Sequence, residues 1–374
     1  ALTLKEFLPD QVELFLLGSA ALGISDSGSD VDVLACSATI SNAKFFEVVA
    51  KALDAQGYGS VEMAADAAVP LVRFQADDLE VEVQFSEVSS EHLVLLRESH
   101  TKAAASSSSE TLHAYETLEA ELFMPKEVTS QVGLAAALDV WALTRQLREG
   151  HFDRFRRLAV AVKCWARQKQ LLGTSFGFPG GFAWALLASK EVLMSSNDDL
   201  NVLQTMFFQN VAAKLNKEEF PPKLWCPAGP QDRNALRSMT RGTAKILKAQ
   251  LEIASREGPN ASKGVAESPQ FLMVEMAKVA ADSKHLLQRK AIPILLEIER
   301  CAEGTVWPLT DVHCSKRGKS CLVMGLQSWS PSAGEQRTLA KSMKVSIGLD
   351  LEVRLISINN LSAEITSLIG TFKE

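Results

Sequence analysis

The residues best suited by type and spacing to do chemistry lie between Leu16 and Leu34, LLGSAALGISDSGSDVDVL. Gly18 lets the backbone approach a ligand with no Cβ in the way. Ser19 follows with a hydroxyl and an amide N–H, both able to donate to phosphate oxygens. Twelve residues after Gly18 comes Asp30, then Val31, then Asp32. In a strand, residues i and i+2 share a face, so Asp30 and Asp32 are expected to aim together while Val31 and Val33 aim into a core. Two such carboxylates repel unless a cation joins them, and hard divalent cations bind oxygen pairs of this kind. A third carboxylate is available from Leu79 to Phe85, where Leu79, Val81, Val83 and Phe85 alternate with Glu80, Glu82 and Gln84. Glu80 and Glu82 both lie on the polar face, and the pattern alone does not choose between them. Three carboxylates converging from two strands can hold two metal ions ~3.5–4 Å apart, one activating an attacking hydroxyl and the other gripping a triphosphate. The protein then positions groups and neutralises charge.

A second segment, Phe152 to Leu187, joins a helical pattern to a glycine turn. Leu158, Val162, Trp165 and Ala166 fall on one stripe that should pack inward. Lys163 and Arg167 are i, i+4 neighbours on another face. They suit a triphosphate, but on spacing alone a solvated basic face is the commoner arrangement. Gly180 and Gly181, ahead of Phe182 and the apolar Ala183 to Leu187, permit close approach of a base or sugar. A plain helix joint with Trp184 as core has the same pattern.

The surrounding elements divide the chain in three. Strands are expected at Val12–Leu17, Val31–Leu34, Val69–Phe74 and Leu79–Phe85, with a helix at Asn42–Gln56. This makes a small mixed sheet with helices. Lys102 to Glu110 and Glu257 to Glu267 are polar, low-complexity stretches that read as loops. Helical periodicity runs from Val128 to Phe208 and resumes from Ala235 to Arg256 after a proline-rich break. Beyond it come a strand at Phe271–Val279, a helix at His285–Glu303, and strands at Ser320–Leu326 and Leu349–Ile358. The expected domains are residues 1–125 (α/β), 126–266 (helical) and 267–374 (α+β).

Composition narrows the class. The 374 residues are 47% hydrophobic and 22% charged, with a net charge of −6 and a pI of about 5.7, so any nucleic-acid contact must come from local basic patches. Lys316, Arg317 and Lys319 form one such patch. Arg337, Lys341 and Lys344 form another at i, i+4, i+7 spacing, which shares a helical face. The six cysteines include no CxxC pair, so a structural zinc site has no support, and reduced, mostly buried thiols of an intracellular protein are expected. No apolar run reaches the ~20 residues that span a bilayer, and Ala1 to Asp10 show no secretory pattern.

Together the two chemical segments resemble the eukaryotic poly(A) polymerases of the main nuclear type, in the polymerase β-like nucleotidyltransferase superfamily. That family carries Gly-Ser followed by Asp-x-Asp at the spacing of Gly18-Ser19 and Asp30-Val31-Asp32. Its E-I-D-x-L-F strand matches Glu80-Val81-Glu82-Val83-Gln84-Phe85 and selects Glu82 over Glu80. Its I-K-x-W-A-K-R helix matches Val162 to Gln168, and its G-F-x-G-G-x-x-W-A turn matches Gly177 to Ala185. Pro227 to Arg241 and the last hundred residues match loosely.

The resemblance implies a polymerase β-like catalytic domain, a helical central domain and a C-terminal RRM-like RNA-binding domain. It implies transfer of AMP from ATP to RNA 3′ ends with two Mg²⁺ or Mn²⁺ ions on Asp30, Asp32 and Glu82. Gly18, Ser19, Lys163, Arg167, Gly180, Gly181 and Phe182 would hold the nucleotide, and the two basic patches would hold RNA. Proteins of the polyadenylation machinery would be partners and the nucleus the location. Three positions depart from the family: its third aspartate is Glu82, a basic residue is Ala21, and a nucleotide-contacting tyrosine is Leu172. A uridylyltransferase and a catalytically silent RNA-binding homologue are the alternative readings.

Overall fold

The computed structural model describes residues 8, 11–26, 29–56, 58–64, 71–76, 79–103, 132–147, 150–217, 220, 222–228, 233–261, 270–277, 283–302, 304–315 and 319–357. Two compact units emerge: Ala1–Val160 with Trp225–Arg233, and Ala161–Leu224 with Asn234–Glu374. The expected boundaries at 125/126 and 266/267 lie outside the described residues.

The first unit is built on strands β1 (Glu13–Leu16), β2 (Val31–Ser37), β3 (Gly59–Ala64), β4 (Leu71–Ala76) and β5 (Leu79–Glu87), in the order β1-β2-β5-β4-β3. Only the β2–β5 pair among these is parallel, so the sheet is mixed, as the sequence implies. Strand β2 is buried from Val33 to Ser37, which suits a central strand covered on both faces. Alternation on β5 holds from Val81 to Phe85, with Val81, Val83 and Phe85 buried and Glu82 and Gln84 half-buried, but Leu79, expected on the inward face, is exposed at the start of the strand. Helix α1 (Gly18–Ala21) is a single turn where the sequence suggests only a bend.

Helix α2 (Asn42–Ala55) begins where the Ser41 side chain accepts the Lys44 N–H, an N-cap that fixes its start. Its Phe45, Phe46, Val49 and Leu53 are buried, and Phe45 stacks on Phe85 with ring centroids 4.2 Å apart. Strand β3 and helix α3 (Ser90–Ala103) have no counterpart in the sequence reading. Lys102 and Ala103, expected in a loop, end α3; the rest of that stretch lies outside the described residues.

Helices α4 (Val132–Gln146) and α5 (His151–Gln168) follow, and the division between the units falls within α5. Segment Trp225–Arg233 counts with the first unit because Asp139 of α4 anchors it. The buried Asp139 carboxylate accepts the Ala228 N–H at 3.0 Å and pairs with the Arg233 guanidinium.

The second unit continues with a 3₁₀ turn (Thr174–Phe176) and helices α6 (Gly181–Met194), α7 (Leu200–Lys217) and α8 (Arg241–Glu257). Helix α8 starts at Arg241 rather than Ala235, because Thr240 forms a capping box with Thr243 and residues 235–238 form a turn. The Glu299 carboxylate accepts from the Thr240 hydroxyl at 2.7 Å and lies where a Cβ on Gly242 would sit. Then come β6 (Gln270–Met276), α9 (Ser283–Cys301), β7 (Thr305–Pro308), β8 (His313–Cys314), β9 (Ser320–Gln327), α10 (Ala333–Ile347) and β10 (Leu351–Ser357). The sheet order is β10-β6-β9-β7, with β8 also on β9 and every pairing antiparallel. Phe271–Met276 and Cys321–Leu326 are buried at every position, so these central strands are covered on both faces.

All six cysteines are free thiols. Cys36 and Cys321 are buried and Cys164 and Cys226 half-buried, but Cys301 and Cys314 are exposed. The expectation of mostly buried thiols therefore fails at the last residue of α9 and at the short β8, where little packs over the side chains. Among the described residues no helix is long and apolar enough to cross a membrane.

Truncating Asp139 removes the carboxylate from the Arg233 guanidinium, which keeps the Ala228 carbonyl at 2.8 Å, and leaves the Ala228 N–H without that acceptor. Asp139→Ala is expected to lose about 3 kcal/mol of stability. Urea unfolding checks this, and a loss below about 0.5 kcal/mol would mean that the anchor contributes little net stability.

Candidate active site

The carboxylate face is set by strand register. Asp32 on β2 is the direct partner of Glu82 on β5, and Glu82 is the direct partner of Arg73 on β4. Neighbouring strands lie about 4.8 Å apart, so the two acids and the guanidinium form one lateral row across the sheet. Asp30 sits one residue before β2 and is exposed, whereas Asp32 is half-buried.

Gly18 closes the row from β1. The Leu17 N–H donates to the Asp32 carbonyl at 2.9 Å, which draws the chain after β1 against Asp32. A Cβ on Gly18 would lie 2.5 Å from Asp32 Oδ2. Its φ of +53° is in the left-handed region, so both space and conformation call for glycine. Ser19 is half-buried, and its hydroxyl receives a 3.3 Å hydrogen bond from Ser25.

Glu82 is held more tightly than its sequence suggests. Its Oε2 accepts from Arg73 Nε at 2.8 Å and Nη2 at 2.6 Å, and its Oε1 accepts from Gln84 Nε2 at 3.1 Å. Glu80, the other candidate, lies 3.7 Å from Arg73 Nε and is mostly exposed. Burial alone would lower the Arg73 pKa, but the opposing charge and hydrogen bonds of Glu82, with Glu80 and Glu62 nearby, push it up. Arg73 and Gln84 are the site residues the sequence reading left without a role. The signal was the antiparallel pairing of LVRFQA with LEVEVQF, which sets a cation opposite an acid.

The expected convergence of three carboxylates is accordingly not realised. Among the described residues, no three His, Cys, Asp or Glu side chains form a group able to share a metal ion. The oxygen chemistry of Asp30 and Asp32 suits a hard cation, but both Glu82 oxygens are engaged by other partners.

The second unit carries the other candidates. The inward stripe of α5 is as expected: Leu158, Val162, Trp165 and Ala166 are buried. Lys163 is also buried, at 2% exposure, which rules out the solvated face its spacing allowed. A Cβ built on Gly181 would meet Lys163 Cε at 3.8 Å, so the lysine stem packs over the start of α6. Arg167, Gly180, Gly181 and Phe182 are half-buried. A Cβ on Gly180 would come within 2.8 Å of Thr174 Cγ2. Trp184 is core, with its Nε1 donating to the Leu171 carbonyl at 3.3 Å.

Of the basic patches, Lys316 and Arg317 lie outside the described residues. Lys319 pairs with Glu352 at 2.9 Å and is only 15% exposed. Arg337, Lys341 and Lys344 are all exposed on α10, and Lys344 pairs with the exposed Asp350 at 3.1 Å.

Residues 2–92 match the family described as "Poly(A) RNA polymerase, mitochondrial-like, central palm domain". Candida albicans poly(A) polymerase PAPalpha is 23% identical over 209 residues, covering 55% of this chain and 34% of that protein. Nuclear poly(A) polymerase 4 of Arabidopsis thaliana is 25% identical over 199 residues, covering 52% and 24%. The chain is thus similar to the poly(A) polymerases, over residues 2–92 by the palm-domain family and at low identity by these relatives. It spans about a third or less of the length of these curated relatives. A crystal structure of the Cid1 poly(U) polymerase is 14% identical with a TM-score of 0.43, covering 66% of this chain and 81% of that one.

Gly18→Ala places a side chain in the left-handed region and against Asp32. Stability is expected to fall by about 1–2 kcal/mol, read by urea unfolding. An unchanged midpoint would mean that the turn relaxes to a negative φ.

Proposed function

We propose that this chain transfers nucleotides, adenylate from ATP, to RNA 3′ ends. The observation that carries the reading is the register that opposes Asp32 to Glu82, with a left-handed Gly18 pressed against Asp32. A divalent cation, Mg²⁺ or Mn²⁺, would be held by Asp30 and Asp32 and would supply positive charge for the triphosphate and the attacking hydroxyl. Ser19 would donate to phosphate. Lys163 and Arg167 would offset triphosphate charge through charge-assisted hydrogen bonds, while Gly180, with Thr174 Cγ2 against it, and Gly181 would place the start of α6 and Phe182 beside the nucleotide.

The β-α-β-β-α-β course from β6 to β10, with β8 as a short extra strand, supports an RRM-like reading of the C-terminal part. Its central strands are buried on both faces, which argues against bases stacking on the sheet. RNA holding is therefore assigned to the exposed face of α10, where the Lys344–Asp350 pair is solvated and weak. By their likeness to the relatives, ATP as donor, polyadenylation-machinery proteins as partners and the nucleus as location belong to the same proposal. The engagement of Glu82 by Arg73 favours a second reading, a silent RNA-binding homologue.

A labelled RNA offered each of the four nucleotides with Mg²⁺ or Mn²⁺ tests the reading. Extension with ATP, lost in Asp30→Ala and in Asp32→Ala, is expected. Extension with UTP alone would assign uridylyl transfer, and no extension with any nucleotide would favour the silent homologue.

Replacing Arg337, Lys341 and Lys344 together by Glu is expected to weaken RNA binding at low salt and leave nucleotide binding unchanged. Each lost phosphate contact should reduce the log–log salt slope by roughly 0.7 for a single strand. An unaltered affinity and slope would assign RNA to another surface.

A further inference from the structure

Arg73 stands among three carboxylates. It chelates Glu82 Oε2 through Nε and Nη2 at 2.8 and 2.6 Å, lies 3.7 Å from Glu80, and is directly opposite Glu62 on β3. Gln84 takes the remaining Glu82 oxygen at 3.1 Å. The Glu82 side chain is only 14% exposed, so this pair is partly shielded from water, where charge-assisted contacts strengthen. Glu82 is also the residue directly beside Asp32. A cation recruiting Glu82 must therefore compete with two guanidinium N–H groups at Oε2 or with one amide N–H at Oε1, and with all three to bind both oxygens. A cation using Asp30 and Asp32 alone displaces none of these.

We propose that Arg73 is a positioning residue that withholds Glu82, so that the carboxylate face takes one divalent cation readily and a second only after Arg73 lets Glu82 go. This rests on the nucleotidyl-transfer reading of the same face and adds an order to its loading. Arg73 is the built-in counter-ion of the third carboxylate. Without it the row of Asp32, Glu82, Glu80 and Glu62 loses one positive charge, which favours cations there. An anionic group reaching Arg73, such as a phosphate, has the chemistry to release Glu82.

The test is Mn²⁺ binding to the full chain without nucleotide or RNA, followed by electron paramagnetic resonance. The wild-type chain is expected to bind one ion, with a second at least about tenfold weaker, roughly the discrimination given by 1.4 kcal/mol. Arg73→Gln is expected to tighten the second ion about tenfold and leave the first unchanged. Adding Glu82→Gln to that variant should abolish the gain, because the released ligand is gone. Arg73→Lys keeps the charge but loses the paired donors, so it should restore most of the wild-type difference. It also serves if Arg73→Gln does not fold, as judged by circular dichroism.

Equal second-site affinity in wild type, Arg73→Gln and Arg73→Lys would overturn the proposal while leaving the metal-binding face intact. Weaker binding in the Arg73 variants would overturn it too, by making Arg73 a support of the ligand set. Absence of any Mn²⁺ binding that depends on Asp30 and Asp32 would overturn the underlying functional reading as well.

Discussion

Asp32 and Glu82 are directly opposed on neighbouring parallel strands, and like charges so placed destabilise a sheet. Everything around the candidate site answers that repulsion. Val31 and Val33 pack into or against the core on one side of β2, which leaves Asp32 no alternative face, because a strand slipped by one residue would bury the acid and expose the valines. Val81, Val83 and Phe85 fix β5 in the same way. The carboxylates are held side by side by the burial of their apolar neighbours, and Arg73 on the third strand supplies the compensating charge.

Each unit carries its own group of candidate residues. The first offers a rigid, acidic row on a sheet whose core is closed by the α2 phenylalanines. The second offers a buried lysine over the glycine start of α6. Lys163 is buried, and a Cβ on Gly181 would meet its Cε at 3.8 Å. In both units the glycines do a specific job. Gly18 makes room for Asp32 Oδ2, and Gly242 makes room for the Glu299 carboxylate.

Much of this was legible in the sequence. Period-two alternation placed Glu80, Glu82 and Gln84 on the polar face of β5, and the inward stripe of α5 fell where its 3.6-residue period put it. The distinction between Glu80 and Glu82 was not legible from periodicity, because it depends on which residue lies opposite Asp32 across a parallel pair that is distant in sequence. The Arg73 contact was hidden for the same reason, although its strand was foreseen. Lys163 looked like a surface charge because helical spacing says which face a residue takes, not what covers that face. The start of α8 was misjudged by six residues, since apolar pattern runs through Ala235 and Leu236 while the Thr240–Thr243 box decides the true beginning.

The most direct measurement is an anomalous difference map from crystals of the protein soaked in a low concentration of MnCl₂, collected at the manganese edge. The account predicts one peak against Asp30 and Asp32, with Glu82 still on Arg73 and Gln84. A peak shared by Asp32 and Glu82 with Arg73 turned away, or no peak at Asp30 and Asp32, would contradict it.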